Sequence, residues 1–291
     1  MSFEDMINTI QLGDCYELIK SIPDNSIDCV YIDVPYLYDN GGGGTSELAK
    51  RIIKRDDELN GKTQQDKIKE RIENLIDKMN NAKDDYEREK YRKAMNIERS
   101  RLNLEVGNII SGIDYSIFDE LCRVMKKTNI FIWCSKLQIL DILNYFDKDN
   151  VRFEILTWNK TNPTPACNGT WLPDIEYCLY FREKGVILNE GYELKRKWFI
   201  SPINKSDKDL YNHPTIKPLD LVKRHLLHTT QPNDVILDCF CGSGTTCVAS
   251  KEIGRRFIGM EVNEEYHKIA CDRLNGINAN GQMSLMFDYT E

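Results

Sequence analysis

Short apolar runs alternate along the chain with longer segments in which apolar residues recur at helical spacing. The runs predict strands at residues 7–12, 28–32, 130–134, 153–158, 174–181, 235–238 and 257–260. The periodic segments predict helices at 15–21, 115–125, 137–146, 245–253 and 264–274, and a turn followed by a helix within 213–229. Strands that alternate with helices predict a doubly wound α/β fold around a mostly parallel sheet.

Residues 41–110 differ in composition from the rest of the chain. The four consecutive glycines Gly41 to Gly44 predict a flexible hinge, and residues 47–105 mix basic and acidic side chains in nearly equal numbers. Apolar residues recur there at helical spacing, which predicts either a solvated helical hairpin or an insertion that clamps a partner. We therefore assign 1–40 and 111–291 to the α/β domain and 41–110 to a helical insertion.

Composition and charge exclude some classes of protein. The chain has no apolar run of membrane-spanning length and no start typical of a signal peptide, so we expect a cytoplasmic protein. Its ten cysteines include no C-x-x-C pair, which favours buried free thiols, and Cys239-x-Cys241 alone is weak evidence for zinc, so no metal site is predicted. The net charge of −7 weighs mildly against a nucleic-acid partner, although a local basic face would still allow one.

Residues Val235 to Thr246 read as a strand, a tight loop and the start of a helix. Gly242 and Gly244 let the backbone pass close to a ligand, and the helix N-terminus favours an anionic group. Glu261 ends the next predicted strand, where an acid suits ribose hydroxyls. The loop lacks both the third glycine of a dinucleotide site and the lysine of a P-loop, so we expect a nucleoside ligand without a diphosphate. The alternative is an ordinary strand-to-helix turn.

A second group of candidate residues, Asp33-Val34-Pro35-Tyr36, follows a buried strand. The carboxyl ends of parallel strands are where open α/β sheets bind ligands. If an exocyclic amine is the reactant, Asp33 accepts one N–H and the backbone carbonyl of Val34 accepts the other, which directs the nitrogen lone pair. Pro35 stiffens the turn, and Tyr36 stacks on a flipped-out base. The alternative is a strand-end turn with a capping aspartate.

These residues carry a resemblance to a known family. Asp33 to Tyr36 resembles the [DNS]-P-P-[YFW] motif of DNA amino-methyltransferases, and Leu237 to Thr246 resembles their cofactor loop. The order of the two motifs is that of the circularly permuted β group. Gly13-Asp14 is similar to the segment that meets the cofactor adenine, Trp158 to Pro165 to the loop lining the base pocket, and His213 to Pro218 to the H-P-T-x-K-P segment at the cofactor's methionine end.

The resemblance implies a seven-stranded, Rossmann-like methyltransferase sheet, S-adenosyl-L-methionine as cofactor, and catalysis by Asp33, Val34, Pro35 and Tyr36. The cofactor-binding residues that follow from it are Asp14, Cys15, Asp33, His213, Thr215, Lys217, Asp238, Phe240, Gly242, Ser243, Gly244, Thr245, Thr246 and Glu261. The substrate-binding residues that we assign are Trp158, Lys160, Asn162, Pro163, Lys195, Arg196 and Lys197. For Trp158 the alternative is core packing, and for the basic tripeptide it is a solvated loop. The tripeptide lies in 185–212, an irregular stretch that we interpret as a short target-recognition segment.

An aspartate at the first motif position implies adenine N6 as methyl acceptor more often than cytosine N4. Cytosine C5 methylation is disfavoured because it needs a thiolate nucleophile in a Pro-Cys pair, which Pro165-Ala166-Cys167 is not. The open alternatives are cytosine N4, an amine or amide in RNA or protein, and a DNA-binding relative with weakened catalysis. Double-stranded DNA is the expected partner, while a second copy of the chain and a cognate restriction endonuclease remain open.

Val34 departs from the family motif, which usually has proline at this position. The role carried over to it is that of a backbone carbonyl, which valine also supplies. We therefore expect activity to survive with a less rigid turn.

Overall fold

The computed structural model describes residues 2–36, 71, 73–79, 81–82, 87–88, 90–91, 113–163, 171–203, 210–211 and 216–278. Contacts divide the chain into one unit of Met1–Val34 with Asp114–Glu291 and a second unit of Pro35–Ile113. In the second unit, residues 73–79 are helical. Most of the segment assigned to a helical insertion lies outside the described residues, so the insertion stays a prediction.

The first unit is built on one sheet, in which the described residues supply eight strands. They are β1 Thr9–Leu12, β2 Cys29–Asp33, β3 Asn129–Cys134, β4 Val151–Lys160, β5 Ile175–Glu183, β6 Trp198–Ser201, β7 Val235–Asp238 and β8 Arg256–Glu261. Their order is β1-β8-β7-β2-β3-β5-β4-β6. Only β5 runs antiparallel to its neighbours in this sheet, and every other pairing is parallel. The predicted α/β class with a mostly parallel sheet is confirmed.

Seven α-helices are described in this unit. They are α1 Phe3–Met6, α2 Cys15–Leu18, α3 Ile117–Val124, α4 Ile139–Phe146, α5 Leu219–Thr229, α6 Thr245–Glu252 and α7 Glu264–Leu274, with a 3-10 turn at Ile19–Ser21. The predicted bounds of α7 agree with the structure because its start is specified locally: Asn263 caps it by accepting from the N–H groups of Glu265 and Tyr266. No helix among the described residues is long and apolar enough to cross a bilayer.

The strand β6 corrects two predictions, the count of seven strands and the irregular character of 185–212. It is a four-residue strand at the edge of the sheet, directly after the basic residues Lys195 to Lys197. It pairs in parallel with β4, from Thr157 opposite Trp198 to Lys160 opposite Ser201. A run this short carries too few alternations to predict a strand, and its partner lies some 40 residues away in the sequence.

The centre of the sheet places candidate groups at one edge. All residues of β3 and β7 are buried, as are all of β2 except its last residue, Asp33. Continuous apolar runs are what parallel strands covered on both faces require. Three neighbouring parallel strands, β2, β7 and β8, end in Asp33, Asp238 and Glu261. Because parallel strands end at the same edge, the three carboxyl groups lie on one side of the sheet.

Candidate active site

A cleft of about 640 Å³, its open mouth included, lies at this carboxyl edge. It is lined by Tyr31, Asp33, Trp133, Lys217, Val222, Asp238, Phe240, Cys241, Gly242, Ser243, Thr245, Thr246 and Tyr266. Residues from both predicted motifs therefore face the same space, Asp33 from the tetrapeptide and Phe240 to Ser243, Thr245 and Thr246 from the glycine loop.

The glycine loop has a backbone that other residues would not adopt without strain. Gly242 and Gly244 have φ values of 49° and 74°, in the left-handed region. A Cβ added to Gly244 would lie 3.0 Å from the Cβ of Ala270 on α7, closer than an ordinary contact. Arg273, also on α7 and only 4% exposed, donates to the Thr245 hydroxyl at 2.7 Å and to the Ser243 carbonyl at 3.2 Å. Helix α7 thus packs against the glycine loop and fixes its conformation through Ala270 and Arg273.

Glu261 joins the glycine loop to the end of β8. One carboxylate oxygen accepts the Gly242 N–H at 2.8 Å and the other accepts the Asn263 N–H at 2.9 Å. The Val262 N–H also bonds to this carboxylate, and of its four lone pairs one remains to receive a ligand hydroxyl. Burial raises the pKa of Glu261 above its usual value.

The strand β1 places the Gly13-Asp14 segment beside Glu261. Leu12 pairs with Glu261, and the Gly13 N–H donates to the Glu261 carbonyl at 2.9 Å. Asp14 is exposed and caps α2 by accepting the Tyr16 N–H at 3.0 Å, while Cys15 is buried. The structure thus brings two carboxylates, predicted to meet the adenine and ribose of one nucleoside, to adjacent strand ends.

Asp238, at the end of β7, is 4% exposed and faces neutral donors. Its Oδ1 accepts the Phe240 N–H at 3.1 Å, and the Thr246 side chain also bonds to it. Burial disfavours the charged form and raises the pKa of Asp238 to about 7. This carboxyl group therefore changes its charge near neutral pH.

Asp33, at the end of β2, has a cation as its partner. Its Oδ2 accepts from the Lys217 ammonium at 2.6 Å, and the same ammonium lies 3.0 Å from Glu176 and 5.0 Å from the centre of the Trp133 ring. Burial alone would lower the pKa of Lys217, but the two carboxylates outweigh it and raise that pKa above its usual value. Lys217, predicted from the resemblance as a cofactor ligand, both lines the cleft and contacts Asp33, the residue predicted to be catalytic.

The backbone after Asp33 continues the sheet. The Val34 N–H donates to the Trp133 carbonyl at 3.2 Å, and the Val34 side chain is 2% exposed. This bond fixes the peptide unit between Asp33 and Val34 without a proline. Pro35 and Tyr36 belong to the second unit, and their catalytic roles stay predictions.

The floor of the cleft is an aromatic network that the sequence analysis did not identify. The Trp133 indole N–H donates to the Tyr31 hydroxyl at 2.9 Å, and that hydroxyl lies 3.2 Å from Nδ1 of His225. Burial lowers the pKa of His225 to about 3, so the ring is neutral near pH 7. Strand geometry offered a signal, since Tyr31 precedes Asp33 by two residues and so shares its face of β2.

Three residues of the predicted base pocket have partners within the sheet. Trp158 is 3% exposed and donates through Nε1 to the Ser201 hydroxyl at 2.9 Å, so its ring packs in the core and is not presented to a base. Lys160 pairs with Glu176 at 2.7 Å. Oδ1 of Asn162 accepts the Ile203 N–H at 2.5 Å, which ties this loop to the end of β6. The core-packing alternative is therefore the correct one for Trp158.

The basic tripeptide predicted to meet phosphates is paired with nearby carboxylates. Lys195 pairs with Glu190, Arg196 with Glu193 at 2.8 Å, and Lys197 with Glu154 at 2.5 Å. All three basic groups would have to exchange these partners for DNA phosphates, so phosphate binding stays a prediction.

The remaining predicted residues are Pro163, His213 and Thr215. Pro163 is described in a segment that is neither helix nor strand. His213 and Thr215 lie outside the described residues.

Comparison with known proteins gives a consistent result. The profile of the N6/N4 DNA methylase family matches residues 27–272. The type II methyltransferase M2.LlaDCHI of Lactococcus lactis subsp. cremoris is 31% identical over 90% of this chain and 87% of its own length. The type II methyltransferase M.HinfI of Haemophilus influenzae is 28% identical over 96% of this chain and 71% of its own length.

Among solved structures, one similar fold is that of M1.HpyAVI, determined in complex with SAM. It has a TM-score of 0.56 and 20% sequence identity, over 92% of this chain and 98% of that one. At this identity the likeness concerns the fold, and it supports the Rossmann-like methyltransferase sheet.

Proposed function

The chain belongs to the N6/N4 DNA methylase family, and from that premise we propose that it methylates the exocyclic N6 of adenine in double-stranded DNA with S-adenosylmethionine. The observation that carries the proposal is that Asp33 and the glycine loop Phe240 to Thr246 line one cleft. A methyl donor held on the loop and an amine held at Asp33 would share that space.

The residues of the glycine-loop half fit a nucleoside with a charged amino-acid tail. Glu261 and Asp14 would hold the ribose and adenine at adjacent strand ends, and Gly242 contributes to the lining of the cleft. When bound, S-adenosylmethionine supplies a methyl group on a cationic sulfur, and its transfer to nitrogen leaves a thioether and releases one proton. Asp238 can carry a negative charge beside such a cation once it ionises.

The residues of the β2 half fit an amine acceptor. Lys217 donates to one oxygen of Asp33, and a cationic partner favours the ionised form of a carboxyl group. Asp33 would accept one N–H of the exocyclic amine, and the Val34 carbonyl, in the peptide unit after the one that bonds to Trp133, would accept the other. Two fixed acceptors direct the nitrogen lone pair, so positioning and electrostatics account for the catalysis.

Adenine is proposed over cytosine because Asp33 stands at the first motif position. The same proposal assigns target recognition to residues 185–212. It also assigns part of the DNA binding to residues 47–105. Deleting 47–105 should weaken DNA affinity, and an unchanged affinity and site choice would remove that part.

The experiment that tests the proposal identifies the methylated base. The protein is incubated with labelled S-adenosylmethionine and duplex DNA of mixed sequence, and the nucleosides are separated after digestion. We expect label in N6-methyladenine with the wild type and with Asp24→Ala, an exposed aspartate paired with Arg123, and none with Asp33→Ala. Label in N4-methylcytosine, or only in added RNA or protein, would overturn the adenine assignment. Cofactor binding without any transfer would overturn the enzymatic one.

A further inference from the structure

Four side chains of alternating charge extend from the cleft into the sheet. They are Asp33 on β2, Lys217 before α5, Glu176 on β5 and Lys160 at the end of β4. The N···O distances along the row are 2.6, 3.0 and 2.7 Å, and the side chains of Lys217, Glu176 and Lys160 are 12%, 20% and 15% exposed. We call these four residues the charge row. Its two positive and two negative charges cancel.

The sheet fixes where Glu176 stands. Asp33 pairs with Trp133, and Trp133 pairs with Cys178, so these residues form one line across β2, β3 and β5. Glu176 lies two residues from Cys178 along β5 and therefore shares its face of the sheet. Its own pairing with Trp158 of β4 holds the backbone on the other side. Glu176 is thus anchored independently of Lys217.

Both lysines stabilise the ionised form of Glu176. Burial alone would raise the pKa of this carboxyl group, but Lys217 and Lys160 lower it to about 2. Glu176 is therefore a carboxylate throughout the neutral range, and it attracts Lys217 from the side opposite Asp33. The ammonium of Lys217 is shared between two carboxylates.

We propose that Glu176 is a positioning residue for methyl transfer, which acts on Asp33 by sharing Lys217. The inference rests on the proposed function. An ammonium paired with Asp33 alone would withdraw electron density from that carboxylate and weaken it as an acceptor for the amine. Glu176 holds the ammonium in place while offsetting part of its charge, so Asp33 keeps a fixed orientation and its strength as an acceptor.

The expected effect falls on the transfer step. With Glu176→Gln, the single-turnover rate at saturating DNA and S-adenosylmethionine should fall about 10- to 100-fold, by analogy with the loss of a residue that orients a metal ligand. The dissociation constants for both substrates should stay within about threefold of the wild-type values, because Glu176 is proposed to act in the transition state and not in substrate binding. Glu176→Asp, which keeps the charge, should recover a large part of the rate.

A matched control separates this effect from the loss of a partly buried ion pair. Glu252, the last residue of α6, pairs with Lys223, and their side chains are 29% and 25% exposed. It lies at the end of α6 opposite the glycine loop. Glu252→Gln should lower thermal stability and leave the transfer rate at the wild-type value.

A second variant keeps the test decisive if Glu176→Gln does not fold. The double variant Glu176→Gln with Lys160→Met removes one charge of each sign and so retains a balanced site, yet Lys217 still lacks its second carboxylate. It should also transfer at least about fivefold more slowly than wild type. A folded single or double variant with the wild-type rate, or one that lost only substrate affinity, would overturn the role of Glu176. A wild type that transfers no methyl group to DNA would instead overturn the proposed function itself.

Discussion

Two adjacent parallel strands, β2 and β7, each end a buried apolar run in an aspartate, and the two aspartates have different surroundings. Asp33 accepts from the Lys217 ammonium at 2.6 Å. Asp238 accepts from the backbone of Phe240 and the hydroxyl of Thr246, and burial raises its pKa to about 7. The same local pattern therefore yields one carboxyl group that is paired with a cation and one whose pKa is raised to near neutral pH by burial.

The difference follows from what each strand end faces across the sheet. On the β2 side, strand β5 brings Glu176, which attracts Lys217 into the cleft. On the β7 side, the neighbouring loop supplies neutral N–H and O–H donors, and the neighbouring carboxylates raise the Asp238 pKa further. The first site suits the orientation of a neutral amine, and the second suits a ligand that brings its own positive charge.

Replacing each aspartate by asparagine should give the largest contrast. Asp33→Asn keeps the shape but removes the charged acceptor, so the transfer rate should fall roughly 10²- to 10³-fold, as when one preorganised transition-state contact is lost. S-adenosylmethionine affinity should change much less than the rate. Asp238→Asn should instead weaken the binding of S-adenosylmethionine while retaining most of the transfer rate at saturating cofactor. Single-turnover kinetics together with calorimetric binding would distinguish the two, and equal effects of both variants on both quantities would contradict the comparison.

The raised pKa of Asp238 predicts a stability effect that depends on pH. The folded protein binds the proton of Asp238 more tightly than the unfolded chain does. The contribution of this group to the free energy of unfolding is therefore complete below about pH 4 and is lost as pH rises toward 7. Between pH 5 and 8 the loss should be about 2–3 kcal/mol, from 1.36 kcal/mol per pKa unit. Asp238→Asn should abolish it, so the Tm of the variant minus that of wild type should increase with pH.

A common background makes this difference interpretable. Because the pKa of His225 is lowered to about 3, this residue reduces the stability of the folded protein as pH falls below about 6.5. The reduction is the same in wild type and in Asp238→Asn. The subtraction therefore isolates Asp238. If the plots of Tm against pH for wild type and Asp238→Asn ran parallel from pH 5 to 8, Asp238 would not titrate in that range.

The local features of both strand ends could be predicted from the sequence. Apolar runs predicted β2 and β7 within a residue, and the glycines Gly242 and Gly244 predicted the tight loop that follows β7. Helix α7 was predictable because a capping asparagine and an acidic first turn specify it.

Features that depend on distant parts of the chain could not be predicted. The row of Asp33, Lys217, Glu176 and Lys160 draws on residues up to 184 positions apart, and a glutamate within β5 gives no local signal of its partners. Burial of Trp158 depends in the same way on the pairing of β4 with β5 and β6. The titration of Asp238 requires its burial to be known, which the motif alone does not give.

The glycine loop on the β7 side can be tested with two glycines of nearly equal φ. Gly244 and Gly254 have φ values of 74° and 69°, but an added Cβ would meet Ala270 only at Gly244 and would find nothing within 4 Å at Gly254. Alanine at either position should cost roughly 1–2 kcal/mol of backbone strain. Gly244→Ala should lower the free energy of unfolding by about 1–2 kcal/mol more, because the added Cβ crowds Ala270. It should also weaken cofactor binding. Denaturant unfolding of the two variants gives the difference, and equal losses would show that α7 does not constrain the loop.

The smallest effect is expected on the β2 side, at Val34, where the family motif usually has proline. Val34→Pro removes the N–H that donates to Trp133 at 3.2 Å, and a lost hydrogen bond of this kind costs about 1 kcal/mol. The carbonyl that is proposed to hold the amine remains, so the transfer rate should stay within a few-fold of wild type while the Tm falls by roughly 2–4 °C. Val34→Ala, which keeps the N–H, serves as the matched variant for the loss of side-chain packing. If wild type proved inactive in a time course and Val34→Pro restored transfer, the backbone bond to β3 would not be an adequate substitute for the proline, and the fixed geometry assigned to the β2 end would be wrong.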